Sequence, residues 1–127
     1  MNFKKIYFLK KEIRSIESQI DELVEITSVS LDGMPHGSGT GSPVERLAEK
    51  IINLTNKLTE RKIELISEIE KTERFVNSID DDEMRLICRL RLIECKSFAE
   101  IGTELFMDRS TAQKKFKRYF ENEEEMK

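Results

Sequence analysis

The sequence predicts an all-α protein in which a long antiparallel helical hairpin, coiled-coil-like, precedes three shorter helices. Three observations support this fold class. Apolar residues recur at spacings of three and four along two long stretches, a glycine-rich segment separates the stretches, and helix-capping residues stand before each shorter helix. The hairpin is expected to span residues 1–79, and the shorter helices residues 80–120.

The first long helix is predicted from about Phe3 to Ile26. Its apolar positions form one stripe: Ile6, Leu9, Ile13, Ile16, Ile20 and Leu23. Residues 27–43 hold four of the five glycines together with serines and Pro35, which predicts a flexible connector. Its Gly-Ser run lacks the lysine and preceding strand of known phosphate-binding loops.

The second long helix is predicted to begin at Ser42-Pro43, where a capping serine precedes a proline at the first helical position. Its apolar stripe is interrupted at Arg61 and consists of Leu47, Ile51, Leu54, Leu58, Leu65 and Ile69, widened by Ile52, Ile63 and Ile66. This helix is expected to be longer than the first, so part of its apolar stripe needs another partner. We therefore expect a homodimer through the N-terminal helices. A monomeric hairpin resting on its own C-terminal domain is the alternative.

The C-terminal segment contains capping residues at the expected starts of three short helices. Four carboxylates at residues 80–83 can begin the first, Ser97 can cap the second, and Asp108 can cap the third. The last helix has Ala112, Phe116 and Phe120 at its inward positions. Gly102 supplies a small residue where the last two helices cross, and Met107 an apolar residue in their turn. Residues 121–127 form an acidic tail that we expect to be disordered.

The distribution of charged residues also separates the C-terminal helices from the rest of the chain. Residues 84–120 carry 9 Lys/Arg against 4 Asp/Glu, whereas residues 1–83 carry 12 against 17 and residues 121–127 carry 1 against 4. The net charge of −3 therefore conceals one basic segment between acidic neighbours. This asymmetry is typical of a protein in which a single domain binds the phosphate groups of a nucleic acid.

Composition also narrows the function classes. The N-terminus has no export signal and no apolar run approaches the ~20 residues of a membrane span, so a cytoplasmic protein with no membrane partner is expected. Cys88 and Cys95 are expected to be reduced packing residues, and His36 lies far from both, so no metal site is expected. No catalytic constellation is visible, so neither an enzyme nor a cofactor is expected.

A resemblance begins at Glu100 and covers Glu-Ile-Gly-Thr-Glu-Leu-Phe-Met-Asp-Arg-Ser-Thr-Ala. This segment resembles the helix-turn-helix of sigma-factor region four, whose pattern is E-I-A-x-x-L-G-I-S-x-x-T-V. The whole chain resembles small phage-encoded proteins related to ArpU-type late transcription regulators. It departs from the sigma pattern at Gly102, where alanine is usual, and at Phe106, where glycine usually makes the turn.

The resemblance implies that the last helix binds double-stranded DNA. The positions it assigns to DNA contact are Arg109, Ser110, Gln113, Lys114, Lys117 and Arg118. These residue types suit the task, because glutamine can bond adenine, arginine can bond guanine and lysine neutralises phosphate.

Three functions follow from these patterns. The preferred one is a sequence-specific transcription regulator of phage or prophage genes. The second is a sigma-like interaction protein that binds RNA polymerase without reading DNA, which the basic last helix disfavours. The third is a DNA-packaging subunit resembling a small terminase, in which the DNA-binding part usually comes first, opposite to the order here.

Overall fold

A computed structural model of the chain describes residues 3–33 and 42–125, with side chains at 3–29 and 42–121. The described residues form helices and no strand, which confirms the all-α prediction. The helices are α1 (Lys5–Gly33), α2 (Pro43–Asn77), α3 (Asp82–Cys88), a π-helical turn (Arg89–Ile93), α4 (Phe98–Leu105) and α5 (Arg109–Glu125).

Two helices are longer than the sequence pattern predicts. α1 continues past Ile26 to Gly33, and residues 34–41 of the predicted glycine-rich connector lie outside the described residues. α5 continues to Glu125, into the segment predicted as an acidic tail. Glutamate is a good helix former, which favours this extension. The start of α2 agrees with the prediction, since the Glu45 amide donates to Ser42 Oγ at 3.2 Å.

The chain divides into two compact units, one of residues 8–65 and the other of residues 1–7 together with 66–127. In the first, ion pairs join α1 to α2. Arg61 Nε lies 2.5 Å from Glu12 Oε1, and Lys62 Nζ lies 3.7 Å from Glu17 Oε2. The hydrogen bond that Arg61 donates to Glu12 raises the pKa of Arg61 above its ordinary value. The arginine that interrupts the apolar stripe is therefore one half of a partly buried charge pair.

The apolar stripe of α1 is covered within the chain along most of its length. Its first four positions are 4–7% exposed, and the last two, Ile20 and Leu23, are half-buried. The four buried residues are Ile6, Leu9, Ile13 and Ile16. This part of the α1 stripe is therefore not available to a second molecule.

The second unit is built around one hydrophobic core, to which the end of α2 and all shorter helices contribute. The most deeply buried of its side chains are Val76, Ile87, Cys88, Ile101 and Ala112. Phe116 is 9% exposed and Phe120 packs against the edge of the core, so the inward positions predicted for the last helix are confirmed. This packing turns the opposite face of α5 to solvent.

A π-helical turn follows α3, which the sequence does not predict. The Glu94 amide donates to the Arg89 carbonyl five residues earlier, at 3.2 Å. The wider turn shifts the register by one residue relative to an α-helix. Leu90, Leu92 and Ile93 are then all buried, which explains how so many apolar residues share one short segment.

Local caps set the starts of the short helices. Asp81 accepts a hydrogen bond from the Met84 amide at 2.7 Å, and Ser97 accepts one from the Glu100 amide at 3.1 Å, as predicted. Asp108 also stands directly before its helix. There, however, the bond is accepted by the Asp108 carbonyl, from the Ala112 amide at 3.0 Å.

Gly102 lies where α4 meets the turn into α5. A Cβ built on this residue would lie 2.5 Å from the Met107 carbonyl oxygen and 3.3 Å from the Arg109 amide nitrogen. The Met107 amide also donates to the Gly102 carbonyl at 2.9 Å, which closes the end of α4. Backbone atoms therefore approach residue 102 too closely for any side chain.

Gly102→Ala should accordingly destabilise the protein, even though the sigma-like pattern has alanine at this position. The steric cost of moving backbone should exceed the ~1 kcal/mol that alanine gains in helix propensity, for a net loss of about 2 kcal/mol. Urea unfolding of the full chain measures this difference. Thr103→Ala, on the exposed side of α4, serves as the control and should change stability by under ~0.5 kcal/mol. Equal stability of Gly102→Ala and the wild type would contradict the close approach.

Candidate nucleic-acid interface

Five of the nine basic residues in segment 84–120 are engaged by other groups of the protein. Arg85 bonds the Asp82 carboxylate and the Ile79 carbonyl, and Arg89 pairs with Glu73 at 3.6 Å. Arg91 donates to the Lys96 carbonyl and lies 4.3 Å above the centroid of the Phe98 ring. These contacts stabilise the fold of the unit, because they connect α3, the π-helical turn and their neighbours.

The remaining two engaged residues are lysines. Lys96 donates a hydrogen bond to Glu104 and lies 3.9 Å from Glu94, and the bond to Glu104 raises the pKa of Lys96. Lys115 Nζ lies 2.5 Å from Glu83 Oε1, which joins α5 to α3. Lys115 is therefore a structural contact rather than a free charge.

The other four basic residues all lie on α5, and no carboxylate in the described part of the chain pairs with them. They are Arg109, Lys114, Lys117 and Arg118, and all four are exposed. The basic surplus of the segment is thus concentrated on the solvent side of one helix. An array of this kind can neutralise phosphates.

The six predicted DNA contacts do not occupy equivalent positions on α5. Ser110, Lys114 and Lys117 are exposed at spacings of four and three, so they share one face. Gln113 is half-buried at one edge of that face, and Arg118 is exposed at the other. Arg109 is exposed at the first position of the helix.

One exposed side chain in the turn before α5 is not among the predicted DNA contacts. Phe106 ends α4 in a left-handed conformation and is 97% exposed. The sequence contained a signal, because an aromatic residue there replaces the glycine of the sigma-like pattern. Exposure to solvent, however, could not be deduced from it.

The described residues contain no other arrangement that indicates chemistry. Within them, no group of histidine, cysteine, aspartate and glutamate could hold a metal ion. No helix among them is both long and apolar enough to cross a membrane. Every buried side-chain nitrogen and oxygen in this part of the chain has a hydrogen-bond partner.

No protein-family model matches the chain, and neither a curated protein nor a solved structure does so. The resemblance to sigma region four and ArpU-type regulators therefore stays a prediction.

The division between engaged and free lysines can be tested by amine acetylation at about pH 8 with peptide mass spectrometry. Only the neutral amine reacts, and a raised pKa lowers its fraction. Lys96, held by Glu104, should therefore be modified several-fold more slowly than Lys114 and Lys117. The variant Glu104→Gln should accelerate the modification of Lys96 specifically. Equal rates at all three lysines in the wild type would contradict the division.

Proposed function

We propose that this protein is a sequence-specific regulator of transcription, of phage or prophage genes, that binds double-stranded DNA through the exposed face of α5. In this proposal α4 and α5 are the two helices of a helix-turn-helix, with α5 as the recognition helix. The protein is not an enzyme and uses no cofactor.

One observation carries the proposal: the four basic residues of segment 84–120 without a carboxylate partner among the described residues are all on α5. If these four basic residues were scattered over several helices, their charges would indicate only a contribution to solubility. Here the buried Ala112 and Phe116 orient α5 so that Lys114 and Lys117 face outward together. A recognition helix needs this combination of one packed face and one cationic face.

The local geometry of α4 and α5 also supports a helix-turn-helix. Only Phe106, Met107 and Asp108 separate the two helices, and the backbone closes tightly at Gly102. The first turn of α5 is therefore held against α4. Residues at the start of a recognition helix are those that reach base edges in the major groove.

The alternative is a sigma-like protein that binds RNA polymerase through the same surface. The free cations favour a phosphate partner, because each phosphate contact releases counterions and strengthens binding. A small-terminase-like packaging role shares the DNA contact but is supported by no feature of the described residues.

Wild-type full-length protein should bind a fluorescent duplex of mixed sequence at low salt, with an affinity that falls steeply as salt rises. Lys117→Ala should weaken binding to all sequences and reduce the log–log salt slope by ~0.9, because one phosphate contact is lost. Fluorescence anisotropy at several salt concentrations measures both quantities.

Lys115→Ala is the matched control, because it removes the same charge from the same helix at a position that pairs with Glu83. Its salt slope should stay near the wild-type value. A wild type without affinity at low salt would refute DNA binding. Equal slope changes in the two variants would show that this face of α5 is not the contact surface.

We further propose that a second copy of the chain is a partner, through the face of α2 formed by Ala48, Ile52, Thr55, Thr59 and Ile63. These residues follow one another at spacings of four and three, are all exposed and carry no charge. Thr55 Oγ donates to the Ile51 carbonyl at 2.8 Å and Thr59 Oγ to the Thr55 carbonyl at 3.1 Å. Their hydroxyl donors are thus satisfied, and this face can be desolvated at low cost.

The composition of this α2 face favours a second copy over an unrelated partner. In a pair related by a two-fold axis, this face of one copy meets the same face of the other. The β-branched residues of one copy then pack against those of the other, and the five residues of the face carry no charge.

Sedimentation equilibrium should report a dimer for the wild type at micromolar concentration and a monomer for Ile63→Glu, because the charge would be buried in the interface. Asn53→Glu adds the same charge to the same helix outside this face and should leave the dimer intact. A monomeric wild type, or a dimeric Ile63→Glu variant, would contradict this interface.

A further inference from the structure

The turn between α4 and α5 contains a side chain that the fold does not explain. Phe106 has φ 57° and ψ 45°, a left-handed conformation in which Cβ crowds the following carbonyl oxygen. Glycine adopts this conformation without that strain. The Phe106 side chain is also 97% exposed, so no burial compensates the strain.

Cys95 provides a comparison, because it is the other non-glycine residue with a positive φ, at 59°, that the structure describes. Cys95 is half-buried, and its thiol lies 3.7 Å from the Ile93 carbonyl oxygen. Its surroundings within the protein can hold it in place. Phe106 has no such support, since it lies in solvent and makes no ring contact with the described aromatic residues.

The position of Phe106 connects it with the DNA contact proposed above. It precedes Arg109 by three residues, at the end of α5 that also presents Ser110. In a helix-turn-helix this end of the recognition helix approaches the base edges. The apolar group exposed in the major groove is the C5 methyl of thymine, with which a phenylalanine ring can make contact.

We propose that Phe106 contacts thymine methyl groups in the major groove and gives the protein a preference for A·T base pairs. This inference rests on the proposed DNA binding. It explains why a strained, solvent-exposed aromatic residue occupies a turn that glycine would form with less strain.

The experiment uses two duplexes that differ in one group: an alternating A·T duplex, and the same duplex with uracil in place of thymine, which lacks only the C5 methyl. Wild-type full-length protein should bind the thymine duplex roughly tenfold more tightly. Phe106→Gly and Phe106→Asn should bind both duplexes with equal, lower affinity. Asparagine retains a side chain but tolerates the left-handed conformation, so it separates loss of the ring from gain of backbone freedom.

Thermal unfolding of the same proteins distinguishes a contact residue from a structural one. Phe106→Gly should raise Tm by about 2–4 °C, because the strain is relieved and no buried surface is lost. Weaker thymine binding by a more stable protein would support the proposal. A lower Tm in both variants would show that the ring supports the fold and would overturn it.

The remaining outcomes separate this inference from the proposed function. If the wild type binds both duplexes equally, or if the variants discriminate as well as the wild type, Phe106 does not read thymine, while DNA binding stands. If the wild type binds neither duplex at low salt, the proposed DNA-binding function itself fails.

Discussion

A Cβ on residue 102 would lie 2.5 Å from the Met107 carbonyl oxygen, so α4 and the turn can meet only where a side chain is absent. This contact determines how α5 starts, because the chain has only three residues between the two helices. The burial of Ala112 then fixes the rotation of α5 about its own axis. The cationic face of that helix is thus a consequence of packing on its other side.

The starts of three helices could be predicted from sequence because they depend on neighbouring residues. Ser42, Asp81 and Ser97 each accept a hydrogen bond from an amide three residues later. The buried face of α5 was equally predictable, since Ala112 and Phe116 repeat at helical spacing. Capping and periodicity act within a few residues, and the sequence displays them directly.

Features that depend on distant residues could not be predicted. Lys115 and Lys117 look equivalent along α5, and only the approach of Glu83 from α3 makes one a structural contact and leaves the other free. The π-helical turn results from the number of apolar residues that must reach one core. The exposure of Phe106 is likewise a property of the folded turn. The candidate site was therefore located by sequence, whereas the difference between its residues required the structure.

The ion pair of Arg61 with Glu12 has a consequence for the alignment of α1 and α2. The apolar stripe of α2 is nearly uniform around this position, with leucine at 54, 58 and 65. A shift of one turn along such a stripe would bring together side chains of almost the same shape and would cost little in packing. The same shift would separate Arg61 from Glu12 and Lys62 from Glu17. The two ion pairs thus favour one alignment among several that the hydrophobic residues would accept.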